Sequence, residues 1–421
     1  MFRLLPLLFD HVVKTGDLRL FGPAGGAYRF GDGTGDPIVI RLTDRRLEFE
    51  LACNPELVLG EAYMDGRLTV ERGSIYQFLA LVFRNLRCRE WPSWVKLLGR
   101  VRRAGKRVQQ YNPVPRARRN ARFHYNIDSS IYDLFLDPDR QYSCAYYEHE
   151  GQPLADAQLA KKRHLAAKLQ LRDGQRVLDI GSGWGGLALY LARTARVDVT
   201  GITLSDEQLA ASRERARRLG IAGAAKFEPV DYREMTGHFD RIVSVGMFEH
   251  VGVCHYTAFF EQLRSLLADD GVAVLHSIGR FDGPSVTNPF IAHYIFPGGY
   301  IPSLSEVLPA IEKSGLLVTD VEILRLHYAE TLRHWRRRFL ASWDRASQIK
   351  DERFCRMWEF YLAASEAAFR YQDLMVFQIQ LTRDQATLPL LRDYMMSVKE
   401  RCARGTAPLP KRQGSPGNKG T

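Results

Sequence analysis

Three things are scarce in this 421-residue chain: paired cysteines, uninterrupted apolar runs and, over one stretch, acidic residues. The six cysteines, Cys53, Cys88, Cys144, Cys254, Cys355 and Cys402, lie far apart, with no CxxC pair and no His/Cys cluster at metal-ligand spacing. That spacing argues against a structural zinc and a disulfide scaffold, and it points to a reducing compartment. The opening MFRLLPLLFDHVVKTG is interrupted by Arg3, Pro6 and Asp10, too short and too broken for a signal segment or a membrane span. Nothing later reaches the roughly 18 uninterrupted apolar residues a span needs. The chain reads as soluble or peripheral. Acids are almost missing between Arg84 and Phe123, where 13 Lys and Arg face Glu90 alone; the rest of the chain holds 46 basic and 47 acidic residues. The whole net charge of +11 therefore sits in one segment.

That segment interleaves its cations with Trp91, Trp94, Leu97, Leu98 and Val101 and ends in the breaker NPVP. Three readings fit such a mixture: an interdomain linker, an anionic lipid surface, where indoles and Lys/Arg both favour the headgroup layer, and nucleic acid. The length exceeds what one hydrophobic core normally organises, so two domains are expected. Residues 15–80 alternate strand-like runs (LRLFG, YRFGDG, IVIRLT, LEFELA) with turn residues, then shift to helical spacing in NPELVLGEAYMDGRL and SIYQFLALVFRNL. The expected organisation is an N-terminal α+β domain over 1–83, a basic linker over 84–123, an α/β unit over 124–402 and a disordered Gly/Pro-rich tail over 403–421.

In the α/β unit, RVLDIGSGWGGLALYLA carries the strongest local signal. Val177, Leu178 and Ile180 form a buried strand with Asp179 near its carboxyl end, and Gly181, Gly183, Gly185 and Gly186 allow a tight turn into a helix beginning near Gly186. A ligand is expected over that turn. G-x-G-x-x-G also matches dinucleotide sites, but the acid such sites want about 20 residues on is late: the second strand ends at Gly201, Thr203 and Ser205, and Asp206 and Glu207 fall on the next helix, behind the capping-box pattern Ser205-x-x-Gln208. Later strands are expected to end in Asp231, in Glu249 and His250, and in His276, an order that matches a class I S-adenosylmethionine methyltransferase with its Rossmann-like sheet.

Six segments, HYNIDSSIYDLFLDPDRQYSCAYY, VLDIGSGWGG, GITLSDEQ, DYRE, SVGMFEHVG and LHSIG, together resemble the cyclopropane-fatty-acyl-phospholipid synthases and mycolic acid cyclopropane synthases, from about His124 to Thr382. LVLGEAYMDGRL is similar to the accessory domain of the longer bacterial members. The resemblance implies methyl transfer from S-adenosylmethionine to a cis double bond of a phospholipid acyl chain, followed by loss of a proton as the ring closes. It implies a bound bicarbonate as the base, with Cys144 and Ile278 as backbone contacts and Glu249, His276 and Tyr328 as side-chain contacts; Cys144 is then no nucleophile. For the cofactor it implies Tyr142 and Ser143, with Asp179 at the carboxyl end of the motif strand, Gly181 and Gly183 at the methionyl part, Thr203 and Gln208 near the ribose, and Asp231 and Tyr232 near the adenine.

Rings such as Tyr125 and Tyr146 are expected to face cationic charge, and the apolar stretch with Phe290, Ile291, Tyr294, Ile295 and Phe296 to wall the acyl channel. The implied partners are a membrane phospholipid with unsaturated chains and an anionic surface, met by the basic segment and by RHWRRRF (333–339) from the cytoplasmic side; no nucleic acid is expected. A homodimer is compatible with all of this, and no feature of the chain sets its oligomeric state. Two outcomes besides a ring stay open, a methyl branch and a methylated alkene, as does a polar small-molecule or RNA acceptor.

Overall fold

The computed structural model describes residues 4–23, 25–86 and 128–395. Beyond Leu86 the basic segment lies outside the described residues, with Tyr125 and the tail.

The N-terminal part opens with helix α1 (Leu4–Val12), which buries Leu5, Leu8, Phe9 and Val12 on one side. Strands β1 (Leu18–Phe21), β2 (Ala27–Phe30) and β3 (Ile38–Leu42) follow, then α2 (Arg45–Cys53), α3 (Pro55–Met64), β4 (Leu68–Arg72) and α4 (Ile75–Leu86). The sheet order is β2-β1-β3-β4, parallel only between β1 and β3. One expectation fails here. LEFELA is not a strand but most of α2: the Asp44 side chain accepts the Leu47 N–H at 2.8 Å as an N-cap, and Leu47, Leu51 and Ala52 face the core. Five residues of alternating pattern cannot outweigh a capped start and good helix formers. LTVER, between the two helical stretches, is β4.

The second part holds α5 (Ser129–Asp133), α6 (Leu154–Lys168), β5 (Arg176–Ile180), α7 (Gly186–Ala195), β6 (Asp198–Ile202), α8 (Asp206–Arg218), β7 (Ala225–Glu228) and β8 (Phe239–Val245). These are followed by α9 (Tyr256–Leu266), β9 (Leu267–Arg280), α10 (Leu304–Ser314), β10 (Leu317–Ile323), α11 (His327–Ala341), α12 (Trp343–Ile349), α13 (Glu352–Tyr371) and β11 (Leu374–Thr382). Its seven strands run β10-β11-β9-β8-β5-β6-β7, with β11 antiparallel to both neighbours and the other pairs parallel. This is the expected α/β sheet of a class I methyltransferase. The order reverses between β5 and β8, and a crevice at such a switch point lies beyond the carboxyl ends of the strands.

Separate apolar clusters cover the two faces of this sheet, while a third runs without a break from the N-terminal sheet through α11 and α13 to Cys144 and Tyr328. Helix α13 is the shared element. Its buried Glu359 accepts the Tyr63 hydroxyl at 2.6 Å, and Phe290 packs against its Phe360 with ring centroids 4.8 Å apart. Across the sheet, α6 is tied to β10 by Lys168, which has no solvent exposure and pairs with Asp320 (3.1 Å) and Glu322 (2.6 Å). Removing one partner of a buried pair of this kind costs about 3–5 kcal/mol.

Candidate active site

The cleft at the switch point begins with the turn after β5. Gly181 (φ 84°) and Gly183 (φ 54°) take left-handed backbone, and the N–H groups of Gly181 and Ser182 both donate to the Ile202 carbonyl at 3.0 Å, folding the loop across the end of β6. A Cβ on Gly181 would sit 2.8 Å from that of Met247, so this glycine answers both to conformation and to a close approach. All nine residues expected at the cofactor, Tyr142, Ser143, Asp179, Gly181, Gly183, Thr203, Gln208, Asp231 and Tyr232, line this single cleft of about 180 Å³.

Their local partners explain how they are held. Asp231 lies three residues beyond β7, not at its end; its carboxylate is forked by Arg233 (2.8 and 2.7 Å) and accepts the Arg233 N–H at 3.1 Å. Ser205 Oγ accepts the Gln208 N–H at 3.4 Å, but the reciprocal half of the expected capping box is absent. The Gln208 side chain instead accepts the Thr203 hydroxyl at 3.0 Å, while Thr203 Oγ1 receives the Ser205 N–H. Asp179 is buried within β5, one of its oxygens has no partner among the described residues, and burial pushes its pKa up to about 7. A buried carboxylate edge, a glycine turn and a hydroxyl-lined rim suit a ligand carrying an ammonium group and a ribose. Trp184, Leu204 and Met247 also line the cleft. Trp184 stood within the quoted glycine motif, and its size there was the available signal.

Behind the cleft lies a second set of residues. Glu249 and His250 sit on a short 3-10 turn after β8, and His276 lies inside β9, four residues short of its end. Glu249 Oε1 accepts the Ile278 N–H at 2.7 Å, bringing these two into direct contact, while its Oε2 is buried with no partner among the described residues. Burial raises this carboxyl to about 7 despite the Ile278 N–H, so it exchanges its proton near neutrality. His276 meets Gln378 through Nδ1 and Nε2 at 3.1 Å, and burial pushes the imidazole down to about 3. It is a neutral ring with one N–H and one acceptor nitrogen, and the Gln378 amide can take the complementary role at Nδ1. The Cys144 thiol donates to the Ala145 carbonyl at 3.3 Å and burial raises its pKa, which keeps it a thiol.

Tyr328 packs edge-on to Trp335 (centroids 5.8 Å) and against Phe369 (4.8 Å). Trp335 in turn meets Tyr142 at 5.2 Å, and Tyr142 lies 2.8 Å, hydroxyl to hydroxyl, from Tyr361. Phe296 completes this wall at 6.4 Å from Tyr142 and 6.0 Å from His250. The rest of the expected apolar wall is arranged differently: Phe290 and Ile295 are buried in the core, and Tyr294 donates to Glu61 of α3 at 2.9 Å. Tyr146 does not line the cleft; its ring stacks on His164 at 4.2 Å. In RHWRRRF, Arg336 pairs with Glu366 and Arg338 donates to the Leu136 carbonyl, leaving Arg337 exposed.

Residues 114–379 match the mycolic acid cyclopropane synthetase family. The chain is 38% identical over 327 residues to the cyclopropane-fatty-acyl-phospholipid synthase of Escherichia coli K12, covering 78% of this chain and 83% of that one. Among solved structures it is similar to the cyclopropane synthase MmaA2 from Mycobacterium tuberculosis (31% identity, TM-score 0.61, 64% of this chain and 99% of that one). It is also similar to the mycolic acid cyclopropane synthase CmaA1 complexed with SAH and CTAB (31% identity, TM-score 0.60, 65% and 99%).

Proposed function

The chain belongs to the mycolic acid cyclopropane synthetase family, and from that membership we propose that it is a cyclopropane-fatty-acyl-phospholipid synthase acting at a membrane surface. It is an S-adenosylmethionine-dependent methyltransferase of that family. The observation that carries the finer reading is the buried Glu249 carboxyl, with one oxygen on the Ile278 N–H and the other unpartnered, behind a cofactor-sized cleft and beside an aromatic wall.

S-adenosylmethionine, when bound, supplies an electrophilic methyl group. Tyr142, Ser143, Asp179, Gly181, Gly183, Thr203, Gln208, Asp231 and Tyr232 would hold it. An alkene is a weak nucleophile, so these residues contribute orientation, and the ring faces of Tyr142, Phe296 and Trp335 exclude water from the cationic chain that methylation leaves. Bicarbonate, when bound, supplies a base that is not consumed by alkylation. The residues suit it: Glu249 Oε2 can accept its O–H, and His276 and the Tyr328 hydroxyl can donate to its oxygens, with Cys144 as a backbone contact; the Ile278 N–H is already given to Glu249 Oε1, so Ile278 would act by orienting that carboxylate. Among the described residues no helix is long and apolar enough to cross a membrane. A bilayer-resident acyl chain would therefore be reached by peripheral docking on the cytoplasmic face, through the basic Trp-containing segment.

The test is to incubate the protein with S-adenosylmethionine and anionic liposomes of a cis-monounsaturated phospholipid, with and without bicarbonate, and to analyse the fatty acids by mass and NMR. A gain of one CH₂ with cyclopropane protons, reduced without bicarbonate, is expected. Branched-methyl or vinylic signals would replace ring closure by another outcome at the same alkene; no lipid product would move the reaction to a different acceptor.

A further inference from the structure

Helix α6 buries a lysine beside the cleft. Lys161 has no solvent exposure, and its Nζ donates to Ser143 Oγ at 2.7 Å. One turn earlier, Gln158 Nε2 donates to the carbonyls of Ser143 (3.0 Å) and Gln141 (3.3 Å). The helix presenting both is pinned by Lys168, so segment 141–143 is held from behind by a fixed frame. Leaving an ammonium in a dry interior costs several kcal/mol, more than fastening a loop requires, since Gln158 already does so with a neutral amide.

The direction of the hydrogen bond matters. In its ammonium form Lys161 only donates, so Ser143 Oγ then accepts from it and its own proton must turn to a different acceptor. Among the described residues none takes it. Ser143 lines the cleft beside Asp179 and Gly181. Complete burial pulls the Lys161 pKa down to about 7, with Asp137 partly offsetting this and Lys162 adding to it, so the ammonium form is the one present below neutrality.

We propose that Lys161 is a positioning residue that commits the Ser143 hydroxyl as a donor toward a carboxylate in the cleft, so that the cleft selects an amino-acid-bearing nucleoside over one lacking the carboxylate. This rests on the reading of the cleft as the S-adenosylmethionine site.

The experiment is calorimetric binding of S-adenosylhomocysteine and of its decarboxylated analogue, which keeps the amine, to the full chain and to Lys161→Met, Ser143→Ala and the double variant. Thermal melts without ligand check folding. The unaltered protein should prefer the carboxylate-bearing ligand. Each single substitution should weaken S-adenosylhomocysteine about tenfold and the decarboxylated ligand by less than about twofold, and the double variant should lose no more than either, because the two groups act as one unit. Equal losses for both ligands, or additive losses, would overturn the assignment. Should Lys161→Met fail to fold, Ser143→Ala decides alone: unchanged selectivity refutes the proposal. If the unaltered protein binds neither ligand, the cofactor reading itself falls, whereas binding with unaltered selectivity in the variants removes only the role of Lys161.

Discussion

The cleft and the chamber behind it are built on opposite plans. The cleft comes from loops that follow strands, each short and local: the glycine turn after β5, Thr203 to Gln208 after β6, and Asp231 with Arg233 after β7. The chamber set, Cys144, Glu249, His276, Ile278 and Tyr328, is the one expected at the base and comes from distant parts of the chain: the Ile278 N–H joins Glu249, and ring contacts link Tyr328 through Trp335 to Tyr142. The geometry of the cleft follows from backbone. Glu249 and His276 are buried, and burial sets their chemistry: it holds His276 as a neutral ring and lifts the Glu249 carboxyl to about 7.

Glu249→Gln should separate the two most sharply. Lipid product measured by mass is expected to fall about a hundred- to ten-thousand-fold, while calorimetric affinity for S-adenosylhomocysteine stays unchanged. Stability should move the other way. The folded carboxyl, raised to about 7 from an ordinary 4.5, holds its proton more tightly than the unfolded one. Its contribution is therefore fully present below about 4.5 and lost as pH rises through 7. At pH 8 the amide has no charge to bury, so the variant should melt roughly 2–4 °C higher than the parent. Product formation within tenfold of the parent would erase the distinction between chamber and cleft.

Gly181→Ala attacks the other half. A methyl at φ 84°, 2.8 Å from the Met247 Cβ, should weaken S-adenosylhomocysteine by about ten- to fiftyfold through strain in the turn. Product formed at saturating cofactor should be nearly normal, and a loss that saturation does not restore would mean that the turn also shapes the chamber. Asp231→Asn is the mildest. The Arg233 fork loses its charge assistance, and an effect of about fivefold on the KM for S-adenosylmethionine with little change in kcat is expected from steady-state kinetics.

The two plans also differ in how they read from residues alone. DIGSGWGG, LSDEQ and DYRE are each contiguous, and glycine spacing at a strand end has a direct backbone meaning, so a ligand-bearing turn is legible there; the nine cofactor residues come from family resemblance, and all of them line the one cleft. Nothing in composition or spacing connects Glu249 with Ile278 or Tyr328; those residues entered by family resemblance. Of the aromatic wall only Phe296 is expected, from its apolar stretch; Trp335 and Tyr361 carry no local signal, being ordinary aromatic residues until α11 and α13 meet. Errors arose where pattern was short, as in LEFELA, where an N-cap and three buried residues outweighed alternation. The ring of Tyr146 stacks on His164 of α6, a neighbour that nothing in the sequence announces.

The sequence by itself determined the parallel α/β order, the glycine turn and the residues around it, because strand periodicity and left-handed backbone are properties of neighbouring residues. Only the tertiary structure decided which carboxyl became a proton-exchanging group, which histidine stayed neutral and which lysine was buried against Ser143. Burial and unpaired polar atoms arise when segments far apart in the chain close over them.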